Sequence, residues 1–280
     1  MERTAKIIII MLAFAILTML CGAPYRTGPS IPYQGSISDF APYNQYLFVD
    51  ITGFADDAYN DKDYITAESL YQKAYQLAFR KNNYKLIGIA LLGLGTTLGA
   101  QAEYSVSITK LNNCLHYKDN IENLNAVSQI YYNLAISYHY LNKLDTAIQN
   151  YTFAINLNLN AYWAYANRAD AYREKQSNDS AISDYNRAVK LDSTNAIIYC
   201  NRGLAYLGNS EYGSAIPDYH KAIELKPNYA DAMVYLADAY LIKNDKISAQ
   251  HWYEQALQYK EHLKVWIETE IQKKYKTLFK

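Results

Sequence analysis

The sequence predicts an all-α protein built from tandem helix-turn-helix units, and three observations carry that prediction. Breakers are scarce: 6 prolines and 11 glycines in 280 residues, with four of the prolines before residue 43. Tyrosine is abundant, 30 residues, so amphipathic rings are available wherever two helices meet. Above all, the chain repeats itself. YYNLAISY (131–138), YANRADAY (165–172) and YCNRGLAY (199–206) stand 34 residues apart, and a fixed period of this length is the signature of a stacked-repeat architecture.

Four units of 34 residues begin at Ser128, Tyr162, Ala196 and Ala230. Within each, an aromatic or Met stands at position 4, Ala or Gly at 8, Tyr at 11, Ala at 20, Tyr at 24 and Ala at 27. The unit from Ala196 reads Tyr199, Gly203, Tyr206, Ala215, Tyr219 and Ala222, and Lys226-Pro227-Asn228 stops its second helix. Small residues at 8, 20 and 27 let two helices approach closely, and the aromatics fill the space between neighbouring units. Pro217 is expected in the first turn of its helix, where its missing N–H is harmless. Two degenerate units precede these at a period of 40, one from Phe48 and one from Gly88, their extra residues expected to lengthen helices near the unit boundary.

This pattern resembles the tetratricopeptide repeat. The resemblance implies a right-handed superhelical α-solenoid of about six units, 48–87, 88–127, 128–161, 162–195, 196–229 and 230–263. A capping helix over 264–280 follows, with Trp266, Ile267, Ile271, Tyr275 and Leu278 as its apolar stripe.

The N-terminus is a separate object. Glu2, Arg3 and Lys6 precede a fourteen-residue apolar run, Ile7 to Leu20. A bilayer-spanning helix needs about 20 apolar residues, so the run suits the core of an export signal over 1–21. Cys21 directly after it resembles the lipidated cysteine of bacterial lipoproteins, although Leu20 stands where a small residue is usual. An uncleaved anchor and free secretion stand behind that reading. Residues 22–47, rich in Pro, Gly and Ser, read as a tether. The expected location is the cell envelope, periplasmic or at the cell surface, with membrane attachment through the N-terminal lipid or anchor.

The chemistry of a catalyst is not in view. Gly93, Gly95 and Gly99 are spaced unlike a dinucleotide loop, lack a preceding strand and fall mid-helix in the repeat register, so packing is their expected role. No two of the five histidines, at 116, 139, 220, 251 and 262, share the four-residue spacing of a helical metal site, and no metal or cofactor is expected. Cys114 and Cys200 belong to distant units and are expected to stay unpaired. Lys plus Arg and Asp plus Glu are both 27, a balance that gives nucleic acid no electrostatic reason to bind.

A binding role remains. In the resembled family the first helix of each unit lines a concave groove, and positions 2, 5, 6, 9, 12 and 13 face it. The resemblance implies a protein or peptide ligand, with Asn133, Asn167 and Asn201 at position 6 as a possible ladder for a peptide backbone. A primary amide can donate to a C=O and accept from an N–H without reading side chains. In that reading the three amides face solvent in the free protein; the alternative is that Asn is simply common at this position. Tyr132, Trp163, Asp170 and Arg173 would complete a mixed aromatic and charged lining. Position 5 carries Tyr132, Ala166, Cys200 and Val234, not the lysines with which chaperone-binding relatives grip a carboxylate. Two other functions stand behind the scaffold: glycan capture, for which relatives use large inserted loops not seen here, and regulation of an envelope enzyme such as a protease.

Overall fold

Where helices start and stop follows from local chemistry. The computed structural model describes residues 44–259, 269 and 271–273, and twelve α-helices occupy them. They are α1 (Asn44–Asn60), α2 (Tyr64–Arg80), α3 (Tyr84–Ala100), α4 (Tyr104–Leu115), α5 (Leu124–Tyr140) and α6 (Leu144–Leu157). Next come α7 (Tyr162–Glu174), α8 (Asn178–Leu191), α9 (Ala196–Gly208), α10 (Tyr212–Leu225), α11 (Ala230–Ile242) and α12 (Lys246–Gln258). Among the described residues there is no strand. Asp63, Asn83, Asn123, Asn195 and Asp245 each accept a backbone N–H of the following first turn, the ordinary use of a short polar side chain at a helix start. The first and second helices of a unit are joined by three residues whose middle one is left-handed: Lys62, Ala102, Asn142, Gln176, Ser210 and Asn244, all at position 15 of the repeat.

The chain forms two compact units, the first ending at Ala171 and the second beginning at Tyr172, within α7. In the first, α1 to α6 pack serially, each helix on the next. In the second, α8 to α12 do the same. This is the all-α solenoid class that the repeat predicts. Its core is built on the expected positions: Ala67, Ala147, Ala181, Ala215 and Ala249 at position 20 and Tyr151, Tyr185, Tyr219 and Tyr253 at position 24 are all fully buried. Gly93 and Gly95 are packing residues, since a Cβ at Gly93 would lie 2.3 Å from the Tyr71 ring and one at Gly95 2.5 Å from Leu111.

The extra residues of the 40-residue units lengthen helices only in part. Helices α3 and α5 each run 17 residues against 13 for α7, α9 and α11, an added N-terminal turn. The remainder forms the connection 116–123, which contains a 3₁₀ turn at Lys118–Asn120. Pro217 departs from expectation. It is the sixth residue of α10, not a first-turn residue, so the helix lacks one bond to the carbonyl of Gly213, which is solvent-exposed and can be hydrated. Of the expected capping helix, residues 269 and 271–273 are helical, and Ile271 is buried in the cluster formed by α11 and α12. The export signal, Cys21 and most of the tether lie outside the described residues. No described helix is long and apolar enough to cross a membrane.

Candidate functional site

The position-6 asparagines lie inside the protein, not on its surface. Asn133 (α5) is 3% exposed, Asn167 (α7) 0% and Asn201 (α9) 2%. The expectation that their amides face solvent is therefore corrected. Asn133 Nδ2 donates to Thr96 Oγ1 on α3 at 2.8 Å, and Asn167 Nδ2 donates to Tyr132 Oη on α5 at 2.7 Å. Each amide reaches back to the first helix of the preceding unit. Small residues at position 8 draw successive helices together, and the neighbour then covers position 6.

The Asn133 amide has a fixed orientation. Thr96 Oγ1 gives its single hydrogen to Leu92 O at 2.8 Å, so it can only accept from Asn133. Nitrogen therefore points at Thr96, and Oδ1 is left buried without a hydrogen-bond partner. One turn earlier on the same face of α5 stands Gln129, partly buried, whose Oε1 is likewise buried and unpartnered. The two residues give this helix face two unused carbonyl acceptors, one turn apart. A buried acceptor without a donor costs about 1–3 kcal/mol, which an incoming N–H would relieve. Gln129 occupies position 2 of its unit, one of the six positions expected to face the groove, so the register pointed to it.

The other expected lining residues divide by burial. Tyr132 is buried, its hydroxyl pushed well above the ordinary tyrosine range, first by burial and then by the neighbouring Tyr151, Tyr162 and Tyr140. Trp163 is partly buried and meets Tyr132 edge-on, ring centroids 6.4 Å apart. Asp170 is fully buried. Arg173, partly buried, belongs to the second unit, as does Asn201.

Other polar groups of the second unit serve the fold. Arg202 grips Asp218 with two bonds, Nε to Oδ2 at 2.7 Å and Nη2 to Oδ1 at 2.6 Å, and donates from Nη1 to Asn186 Oδ1 at 2.8 Å. That fork ties α9 to both α8 and α10. Cys114 and Cys200 are free and buried, burial pushing each thiol up to about 12, which leaves them protonated and unreactive. Among the described residues no three His, Cys, Asp or Glu side chains are grouped to hold a metal ion.

Comparison with known proteins places these elements in a family context. Profiles described as tetratricopeptide repeat match residues 128–160 and 196–229, and one described as TPR repeat matches 169–210. Several solved structures share the fold. A structure of MamA is 23% identical, with a TM-score of 0.55 over 60% of this chain and 95% of that one. YrrB, described as a TPR protein with an unusual peptide-binding site, is 15% identical, with a TM-score of 0.58 over 67% of this chain and 93% of its own. A tetratricopeptide repeat protein from Parabacteroides merdae is 16% identical, with a TM-score of 0.60 over 76% and 80% of the two chains. No curated protein was found to match.

Proposed function

The chain is a tetratricopeptide-repeat protein, and from that premise we propose that it is a non-catalytic scaffold of the cell envelope that binds an extended peptide segment of a partner protein. The observation that carries this reading is the pair of unpartnered acceptors, Gln129 Oε1 and Asn133 Oδ1, on one face of α5. Two carbonyl oxygens on one helix face suit the N–H groups of alternate residues on one side of an extended peptide backbone, which every sequence offers. A small rotation of the partly buried Gln129 side chain opens the pair to such a ligand. Trp163 supplies an aromatic wall. Tyr132, Asn167 and Asp170, all buried, support that wall from beneath, the first two through the Asn167–Tyr132 bond. In the second unit, the partly buried Arg173 is proposed, by itself, as a further contact for the same class of ligand. The peptide-binding site named in the description of YrrB supports the class of ligand.

The test is a random-peptide selection on the full chain, followed by titration of one selected peptide and a set of its N-methylated forms. Methylation at one or two backbone nitrogens should abolish binding, because those N–H groups are the donors. Gln129→Met should weaken the unmodified peptide by roughly fivefold, the loss of one hydrogen bond of about 1 kcal/mol, without lowering the melting temperature. A library that yields no binder, or a peptide indifferent to methylation at every position, would overturn the proposal.

Tethering through Cys21 is part of the same reading, supported by the apolar run and the Pro-rich segment that follow each other in the sequence. Labelled fatty acid should enter the wild type and not Cys21→Ser. Equal labelling of both, or of neither, removes the lipid anchor from the proposal.

A further inference from the structure

The connection 116–123 is the longest between described helices, eight residues where others have three or four, and it builds something the repeat does not need. Together with the α2–α3 corner it frames a shallow, open depression of about 450 Å³ in the first unit.

Both walls are held in place. On one side Ile121 is 5% exposed and packs on Gly88, where a Cβ would stand 2.9 Å from Ile121 Cδ1 and 3.4 Å from Tyr117 Cβ. A larger residue at 88 would push the end of the Ile121 side chain aside, so glycine eases this close approach to α3. Its 3₁₀ turn is closed by Asn120 N–H on Tyr117 O and Ile121 N–H on Lys118 O, both 3.0 Å. On the other side Asn82, left-handed at φ 51, donates its N–H to Phe79 O at 3.0 Å, and Asn83 Oδ1 caps α3 by accepting from Leu86 N. A ligand would meet a rigid frame, with little ordering left to do.

The chemistry of the lining selects the ligand. Tyr84 is 54% exposed, and one face of its ring is stacked on Tyr117, centroids 5.9 Å apart and planes 20° from parallel. More than half of the side chain remains open to solvent, which makes the ring an accessible aromatic platform. The charges cancel: Lys85 pairs with Glu122 at 3.1 Å, and Lys81 is balanced by Asp119. An anionic or cationic ligand therefore gains no net attraction. The amides of Asn82 and Asn120 offer donors and acceptors together, which is what a hydroxyl, itself both, requires. From these features the geometry points to a binding site for a short neutral oligosaccharide, one pyranose ring laid on Tyr84 and its hydroxyls taken by the surrounding amides and Asp119. The electron-rich ring face attracts the polarised C–H bonds on the flat side of a sugar. The depression is independent of the α5 acceptors, so either site can fail without the other.

The experiment uses the full chain against an array of neutral oligosaccharides of gluco-, manno-, galacto- and xylo-configuration, with sulfated and uronate-rich chains as the charged arm. At least one neutral chain should bind. Tyr84→Ala should weaken it about tenfold or more, Tyr84→Trp should retain it, and Gln129→Met should leave it unchanged. Because Tyr84 is more than half exposed, Tyr84→Ala should melt with the wild type, and a parallel circular dichroism curve verifies that. If that variant nonetheless fails to fold, Asn120→Ala at the exposed turn replaces it, with the same loss expected. No neutral chain bound, charged chains bound alone, or wild-type affinity in the folded variants would each overturn the site.

Discussion

Tyr71 donates its hydroxyl hydrogen to Asp56 Oδ1, fifteen residues earlier on the preceding helix, and Tyr253 makes the same bond to Asp238. The spacing joins positions 9 and 24 of a unit. Burial, opposed by the tyrosine bond and aided by the charge of Asp57, raises the Asp56 carboxyl from 3.8 to about 6. A carboxyl raised in the folded state binds its proton more tightly there than in the unfolded chain. Its contribution is therefore fully present below about pH 4 and is lost as pH rises through 6. At about 1.4 kcal/mol per pH unit the gap corresponds to at most about 3 kcal/mol, less whatever solvent screening removes. The urea midpoint of the wild type should fall relative to that of Asp56→Asn between pH 4 and pH 6. Parallel midpoints across that window would contradict the assignment.

Tyr219 occupies the same position 24 in its unit, but Leu204 stands where the carboxylate would be, and its buried hydroxyl has no hydrogen-bond partner. Removing the hydroxyl should therefore be harmless there and harmful elsewhere. Tyr219→Phe is expected to be neutral or slightly stabilising. Tyr71→Phe and Tyr253→Phe each take one donor from a half-buried carboxylate and should cost about 1–3 kcal/mol apiece. Thermal melts of the three variants under one condition decide the matter, and a Tyr219→Phe loss equal to the others would refute it.

Ala102 closes the α3–α4 turn at φ 64, a conformation in which a Cβ costs about 1–2 kcal/mol. It is exposed, so glycine there removes strain and no packing. Ala102→Gly should raise the melting temperature by about 2–4 °C, a gain of about 1 kcal/mol in a domain of this size. Asn142→Gly, at the equivalent turn, should gain less because Asn tolerates this backbone better. An unchanged or lowered melting temperature for Ala102→Gly would show that the strain is absent.

These residues also mark how far the sequence could be read. The small and aromatic positions announce themselves because stacking demands them in every unit, so the helix pairs, the Ala and Tyr core and the packing role of Gly93 and Gly95 were all legible. Position 15 was not, because its six occupants are Lys, Ala, Asn, Gln, Ser and Asn, none of which announces a left-handed turn as glycine would. The register of α10 misled for Pro217, since the helix begins at Tyr212, five residues before it. The asparagines were placed on the right helices but at the wrong depth. Periodicity tells which face a residue occupies; how closely the next helix covers that face depends on Thr96 and Tyr132, 37 and 35 residues away.

That depth gives the last prediction. If the recurring asparagines were ligand contacts alone, removing one would spare the fold. In the structure Asn167 Nδ2 donates to Tyr132 Oη at 2.7 Å with both side chains buried, so the bond joins α7 to α5. Asn167→Ala removes the donor, opens a small void and deprives Tyr132 of its partner, and should cost about 1–3 kcal/mol. Tyr132→Phe keeps the ring but leaves the Asn167 amide short of an acceptor, and should cost a similar amount. The double variant should lose less than the two added together, with a coupling of about 0.5–1.5 kcal/mol, the net worth of a neutral hydrogen bond. Four urea denaturation curves measure it. Strict additivity would mean that the bond does not stabilise the stack, and that the asparagine recurs for some reason other than joining one repeat to the next.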